Sequence, residues 1–205
     1  MRSPPAARLA ALAVAAAIES GCALTTETIR IAYPDPVGVA RFPGAGTIRV
    51  KLAVVDQRPD KSLVVSHKIN GFGAQMAAIS SEEAVPALLE RAVASELRAR
   101  GCQVDAAGEV PVTVELNVFS HRFQGGFFSL PSEGTVSFSA SVRDASGREL
   151  FRDAFSGVSR DDVQIAGGDN AREALERALL DAVRKLMASA AFQAALAQAR
   201  ALPAS

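Results

Sequence analysis

Three stretches of this chain alternate apolar and polar residues, and two others repeat apolar residues at three-to-four spacing. The first alternating run is Thr47–Val55, where Ile48, Val50 and Leu52 interleave with Thr47, Arg49 and Lys51. Period two predicts a half-buried strand. Val112–Val118 and Val136–Val142 alternate in the same way, the latter with a serine at every second place. Asp144–Ala145–Ser146–Gly147 is a turn signal that leads into a fourth strand, Leu150–Phe155. Helical spacing appears in Leu88, Leu89, Ala92, Val93 and Leu97, inside a helix that starts around Glu82–Pro86 and runs to Arg100, with Gly101 as its left-handed stop. It appears again in Leu175, Leu179, Val183, Leu186 and Met187, where Asn170 and Glu173 have the spacing of a capping box. The alanine-rich stretch through Phe192 and Leu196 either continues that helix or forms a second short one. Val64–Ser81 shows no regular period and carries two exposed-looking apolar residues, Ile69 and Phe72. The predicted fold is α+β, a mostly antiparallel four-stranded sheet with two helices on one face, in the order strand, helix, three strands, helix.

The front of the chain has a different character. Arg2 and Arg8 precede ten apolar residues, Leu9–Ile18, and small residues then lead to Cys22. A charged start, an apolar run too short to span a bilayer and a small-residue cleavage region make a secretory signal. Residues 1–21 are therefore expected to be a signal peptide. Residues 22–46, rich in Pro and Gly, are expected to form an extended tether. Residues 47–200 would be a single periplasmic domain, and 201–205 a disordered tail.

Composition narrows the functions available. Basic and acidic residues balance at 22 each, which leaves no electrostatic footprint for nucleic acid. There is no Trp and a single Tyr, which disfavours a sugar-stacking platform. The second cysteine, Cys102, has no partner within the chain if Cys22 is modified, and reads as a small buried hydrophobe.

Ser20–Gly21–Cys22 after the apolar run resembles the lipobox of bacterial lipoproteins, with Glu19 standing where an apolar residue is usual. That resemblance implies a diacylglycerol on the Cys22 thiol and acylation of the new amino terminus. More than one acyl chain anchors a protein stably. Ala23 in place of Asp favours the outer membrane, periplasmic face. The run Val54–Val55–Asp56–Gln57–Arg58–Pro59–Asp60–Lys61–Ser62–Leu63 resembles the Asp-x-Arg-x-Asp-Lys signature of the YajG-like lipoproteins. The likeness spans roughly Ile48 to Ala195. It implies an outer-membrane lipoprotein and no particular activity.

Two groups of residues are candidates for partner binding. Asp56, Arg58, Asp60 and Lys61 are opposite charges held in one turn, and they serve either a polar partner or the turn itself through short ion pairs. Phe123, Phe127, Phe128 and Leu130 flank glycines at a hairpin connection, and they either fold back onto the core or form an apolar tip. His67 and His121 have no Cys or His at metal spacing and read as surface or strand-end residues. With no Gly-x-Ser-x-Gly and no phosphate loop, no enzyme is expected. No catalytic, cofactor or metal residues are assigned, and the covalent lipid on Cys22 is the only attached group foreseen. The expected function is a non-catalytic binding or assembly module, tied to the membrane through its lipid and meeting other envelope proteins but not nucleic acid. The alternatives are an accessory lipoprotein of an envelope lipid or polysaccharide transport or assembly complex, and, less in keeping with the residues, an envelope enzyme.

Overall fold

The structure is a computed structural model that describes residues 24–125 and 130–201. The signal, Cys22, Phe127, Phe128 and the last four residues lie outside that range. In chain order the elements are β1 (Glu27–Ile29), β2 (Arg49–Asp56), β3 (Val64–Ile69), β4 (Gln75–Ser81), α1 (Val85–Ala99), β5 (Gln103–Val104), β6 (Val110–Phe123), β7 (Leu130–Arg143), β8 (Glu149–Val163), α2 (Gly168–Ala188) and α3 (Ala190–Ala201).

These strands form two sheets, not the single antiparallel four-stranded sheet expected. The larger has the order β5-β2-β6-β7-β8, and the smaller the order β1-β4-β3. Both are mixed. In the larger, β2 runs parallel to β5 and β6, while β6, β7 and β8 are antiparallel. The connection between β2 and β6 contains α1, and a crossover through a helix brings the chain back in the direction it left, which makes that pair parallel. In the smaller sheet, β3 and β4 form a hairpin and β1 joins β4 in parallel. The unpatterned stretch Val64–Ser81 is therefore a hairpin whose period is broken by irregularities between Val64 and Ser66 and between His67 and Ile69.

Part of the expected tether also belongs to the fold. Ile29, Ile31, Phe42 and Ala45 are buried in the same core as the helices. Tyr33 donates to the buried carboxylate of Glu96 at 2.5 Å, and Arg100 pairs with the other oxygen of that group. Phe42 lies under the Arg100 guanidinium, 5.6 Å from centroid to carbon, and its N–H donates to Arg100 O at 3.0 Å. The segment passes the start of α1, where Glu82 N donates to Ile29 O at 2.9 Å, and from Tyr33 to Phe42 it is strapped across the C-terminal end of that helix.

The helices lie against one face of the larger sheet. Both predicted stripes are buried: Leu88, Leu89, Ala92, Val93 and Leu97 of α1, and Leu175, Leu179, Val183, Leu186 and Met187 of α2. Small residues set how closely α2 approaches. Ala174 and Ala178 stand over Gly134 of β7 and Gly157 of β8. A Cβ at Gly157 would fall on Ala178 O and 2.7 Å from Ala182 N. The tail forms a separate helix, α3, because the chain breaks at Ser189, whose Oγ accepts the Phe192 N–H at 3.2 Å. Phe192 and Leu196 then bury fully.

The capping box at Asn170 is not formed. Helix α2 begins at Gly168, and Asn170 Nδ2 instead donates to Ile165 O at 2.8 Å. The cap comes from 141 residues away: Gly168 N donates to Glu27 Oε2 at 2.5 Å. The other oxygen of Glu27 meets buried Lys68 Nζ at 2.6 Å. A carboxylate at a helix N-terminus complements the helix dipole, so Glu27 ties β1, β3 and α2 together.

Candidate functional site

The charged turn after β2 forms because Asp56 and Arg58 are two residues apart and face each other. Arg58 Nε donates to Asp56 Oδ1 and Nη2 to Asp56 Oδ2, both at 2.9 Å, and Arg58 N adds a third bond to Oδ1 at 3.1 Å. Arg58 is only 5% exposed. Its fork holds the Asp56 carboxyl below the ordinary aspartate range, against the opposing effect of burial. Asp60 serves the turn itself, with Oδ1 accepting the Ser62 N–H at 2.8 Å, and that bond keeps its carboxyl low as well. Lys61 is exposed. The four charges thus act as a closed pair, a turn cap and a surface lysine, and do not converge on one point.

The turn has a consequence for the sheet. Pairing between β2 and β6 ends at Asp56–Leu116, where Gln57 N donates to Leu116 O at 2.8 Å. Pro59 then carries the chain away, and β6 continues from Asn117 to Phe123 with β7 as its only ladder partner among the described residues. Strand β3, laddered only to β4, faces this unpaired edge of β6 across a cleft of about 360 Å³. Arg58, Val64, Ser66, Asn117, Phe119 and His121 contribute to its lining. Main-chain groups alternate in direction along a strand. Counting back from the Gln124 N–H, which donates to Pro131 O of β7, those of Phe119 and His121 point towards β3. Arg58 adds a polar group: its Nη2 reaches Ser62 O at 3.4 Å, and its Nη1 has no hydrogen-bond partner among the described residues.

Beside the cleft sits His121, which is buried and not on the surface as its strand-end position suggests. Nδ1 is 2.8 Å from Ser66 Oγ, and Nε2 is 2.7 Å from Ser132 Oγ. A neutral imidazole carries one donor and one acceptor, so one serine donates to the ring and the other accepts from it. Burial pushes the His121 pKa down to about 4. With both nitrogens engaged, the ring acts as a neutral crosslink between β3, β6 and β7. His67 is half-buried on β3 and also lines the cleft.

Phe123 is buried and meets the His121 ring edge-on, with centroids 4.4 Å apart, and Leu130 is half-buried against the core. These two candidates for an exposed tip are therefore packing residues. Their neighbours Phe127 and Phe128 lie outside the described residues. Phe72 on the β3–β4 tip is 95% exposed, while Ile69 is half-buried. Cys102 is a free, buried thiol whose pKa burial raises to about 11. His121 with its two serines, Lys68 with Glu27 and Glu96 with Tyr33 are buried polar groups that the sequence did not reveal, because their partners lie far away along the chain.

Comparison with known proteins places this arrangement. A protein of Xanthomonas campestris, XCC0632, is similar in fold, with a TM-score of 0.57 and 13% identity over 82% of this chain and 96% of that one. A minor lipoprotein from Acinetobacter baumannii has a TM-score of 0.42 and 13% identity over 74% of this chain and 92% of that one. A search of curated proteins gave no match. The sequence profile of a family described as uncharacterized lipoprotein matches residues 36–197, a span from the N-terminal strap through most of α3. The chain belongs to that lipoprotein family.

Proposed function

We propose that this lipoprotein is a non-catalytic binding module, held at the periplasmic face of the outer membrane by acyl chains on Cys22, that takes an extended polypeptide segment along the mouth of the cleft between β3 and β6. The cleft carries the reading. Main-chain N–H and C=O groups of β6 without a ladder partner face it and can hydrogen-bond an extended guest laid along its mouth, while the Ser66–His121 bond holds β3 and β6 too close for a whole strand to be added between them. Its volume of about 360 Å³ is at the small end of ligand-binding cavities, which run from about 300 to 1,000 Å³. The open nitrogen of Arg58 supplies a donor for a carbonyl or terminal carboxylate of the guest, and the Asp56 clamp fixes where that donor sits. His121, spanned by two hydroxyls and held neutral, serves as a strut of the cleft and not as a base. The Asp-x-Arg-x-Asp-Lys turn, through which the chain resembles the YajG-like lipoproteins, forms one wall.

A library of random linear peptides displayed on phage, panned against the folded domain, tests this reading. Selected peptides should protect amides of Val64–His67 and Asn117–His121 from hydrogen exchange, and should lose binding to a Ser120→Trp variant that fills the cleft. Methylating the peptide's main-chain nitrogens should weaken binding by about tenfold for each hydrogen bond removed. Binding that survives both changes, or a library that yields no cleft-dependent peptide, would overturn the proposal.

A further inference from the structure

Strand directions show by which end of the domain the chain before β1 leaves it. Strand β1 runs parallel to β4, with Glu27 level with Ile79. Since β4 starts at the β3–β4 tip, the chain preceding β1 emerges towards that tip. The tip lies four residues before Ile79, roughly 13 Å away. From Glu27 back to Cys22 is five residues, which reach at most about 17 Å. Cys22 can therefore sit level with the tip and cannot reach the far end of the sheets.

Of the four most exposed large apolar residues among the described residues, three lie at this end, while the fourth, Val37, stands on the strap that leads to Phe42 at the other. Phe72, at the tip, is 95% exposed, Ile165 is 74% exposed and Leu24 is 65% exposed. Ile165 belongs here because β8 ends at Val163, opposite the first residue of β7, and because Gly168 just beyond it is held by Glu27. The hairpin connection of β6 and β7 belongs here too: a Cβ on Gly125 would lie 3.0 Å from Gly73 Cα. At the opposite end, the β7–β8 turn is Asp144–Ala145–Ser146–Gly147–Arg148, with no large apolar residue.

We infer that the domain rests on the bilayer by this end, with Phe72, Ile165 and Leu24 entering the headgroup boundary beside the acyl chains of Cys22. The occupant of the apolar surface is the membrane that holds the lipid. An acyl anchor within about 17 Å keeps this surface next to that membrane, and apolar side chains at an interface gain from leaving water. The neighbouring charges include both signs, Arg122 with Glu133 and Arg160 with the same glutamate, so contact rests on apolar insertion and not on a basic patch. The orientation leaves the β3–β6 cleft on the flank of the domain, open to the periplasm. It rests on lipidation at Cys22, and is independent of what the cleft binds.

Depth-dependent quenching decides it. The lipidated full chain, in a Cys102→Ala background, is reconstituted into vesicles of zwitterionic and anionic phospholipid, and co-flotation and palmitate labelling first establish the anchor. An environment-sensitive dye is placed at Phe72→Cys or, as the distant control, at Ala145→Cys. Nitroxide-bearing lipid should quench the dye at 72 several-fold more than the dye at 145, and emission at 72 should shift to the blue. Equal quenching at the two sites in anchored protein would overturn the orientation. Shielding of 72 from aqueous iodide without quenching by lipid would overturn it as well, by showing that a second copy or another protein covers the tip. Failure to float would remove the anchor itself, a result that the labelling distinguishes from a wrong orientation. Phe72→Ser should reduce residual vesicle binding of the unlipidated Cys22→Ser chain while its melting temperature stays unchanged.

Discussion

Lowering the pH from 7 to 5.5 should destabilise this protein through one residue, His121. In the folded chain burial pushes its pKa down to about 4, and both ring nitrogens bond to serine hydroxyls. In the unfolded chain it returns to the ordinary value near 6.5. A depressed pKa means that the unfolded state takes up the proton first. The stabilising contribution is complete above about pH 6.5 and is lost as the pH falls towards 4, where the folded state also protonates. The full shift corresponds to about 3 kcal/mol. Between pH 7 and 5.5 the part lost is about 1 kcal/mol, or roughly 3 °C in melting temperature for a domain of this size. That window stays above the range of the paired carboxylates Asp56, Glu83, Glu133 and Asp144, whose pKa values are lowered by their partners. The assay is urea unfolding at several pH values, for the natural chain and for His121→Gln, which can still bond both serines. The variant should lose most of the slope between pH 7 and 5.5. Equal slopes, or an NMR titration of His121 centred near 6.5, would refute a buried neutral ring.

Three further outcomes follow from the packing. Gly157→Ala puts a methyl on the Ala178 carbonyl and should cost about 1–3 kcal/mol in urea unfolding, by forcing α2 off β8. Arg58→Leu removes the fork from a largely buried carboxylate and should destabilise by about 3 kcal/mol. A combined Asp56→Asn and Arg58→Leu change should cost less than the single arginine change, since no buried charge is then left alone, and a double-mutant cycle checks this. Glu27→Gln should lower the melting temperature and speed hydrogen exchange in the first turn of α2, because one side chain both caps that helix and neutralises buried Lys68.

How much of this is legible in the sequence depends on how far apart the interacting residues lie. Val112–Val118 and Val136–Val142 alternate along most of their length, and the stripes of α1 and α2 bury as their spacing predicts. The hairpin of β3 and β4 was hidden because Val65 and Ser66, neighbours in the chain, are both buried. An irregularity that turns consecutive residues to one side erases the period-two signal. Parallel pairing of β2 with β6 leaves no mark on either strand and comes only from the crossover between them. Ile29–Ile31 has strand character in the sequence, but the prolines and glycines that follow it read as a tether, whereas both isoleucines are buried as strand and strap residues. At the candidate site, the Asp56–Arg58 pair is local and visible as a motif. The bond from His121 to Ser66 spans 55 residues, and that from Glu27 to Gly168 spans 141, and no local pattern encodes either.

The modification of Cys22 tests the central claim most directly. Mass spectrometry of the mature amino terminus, on protein made in a host with an intact lipoprotein pathway, should find a chain that begins at Cys22 and carries a diacylglyceryl thioether and an acylated amine. An unmodified terminus, or one that begins beyond position 22, would contradict it.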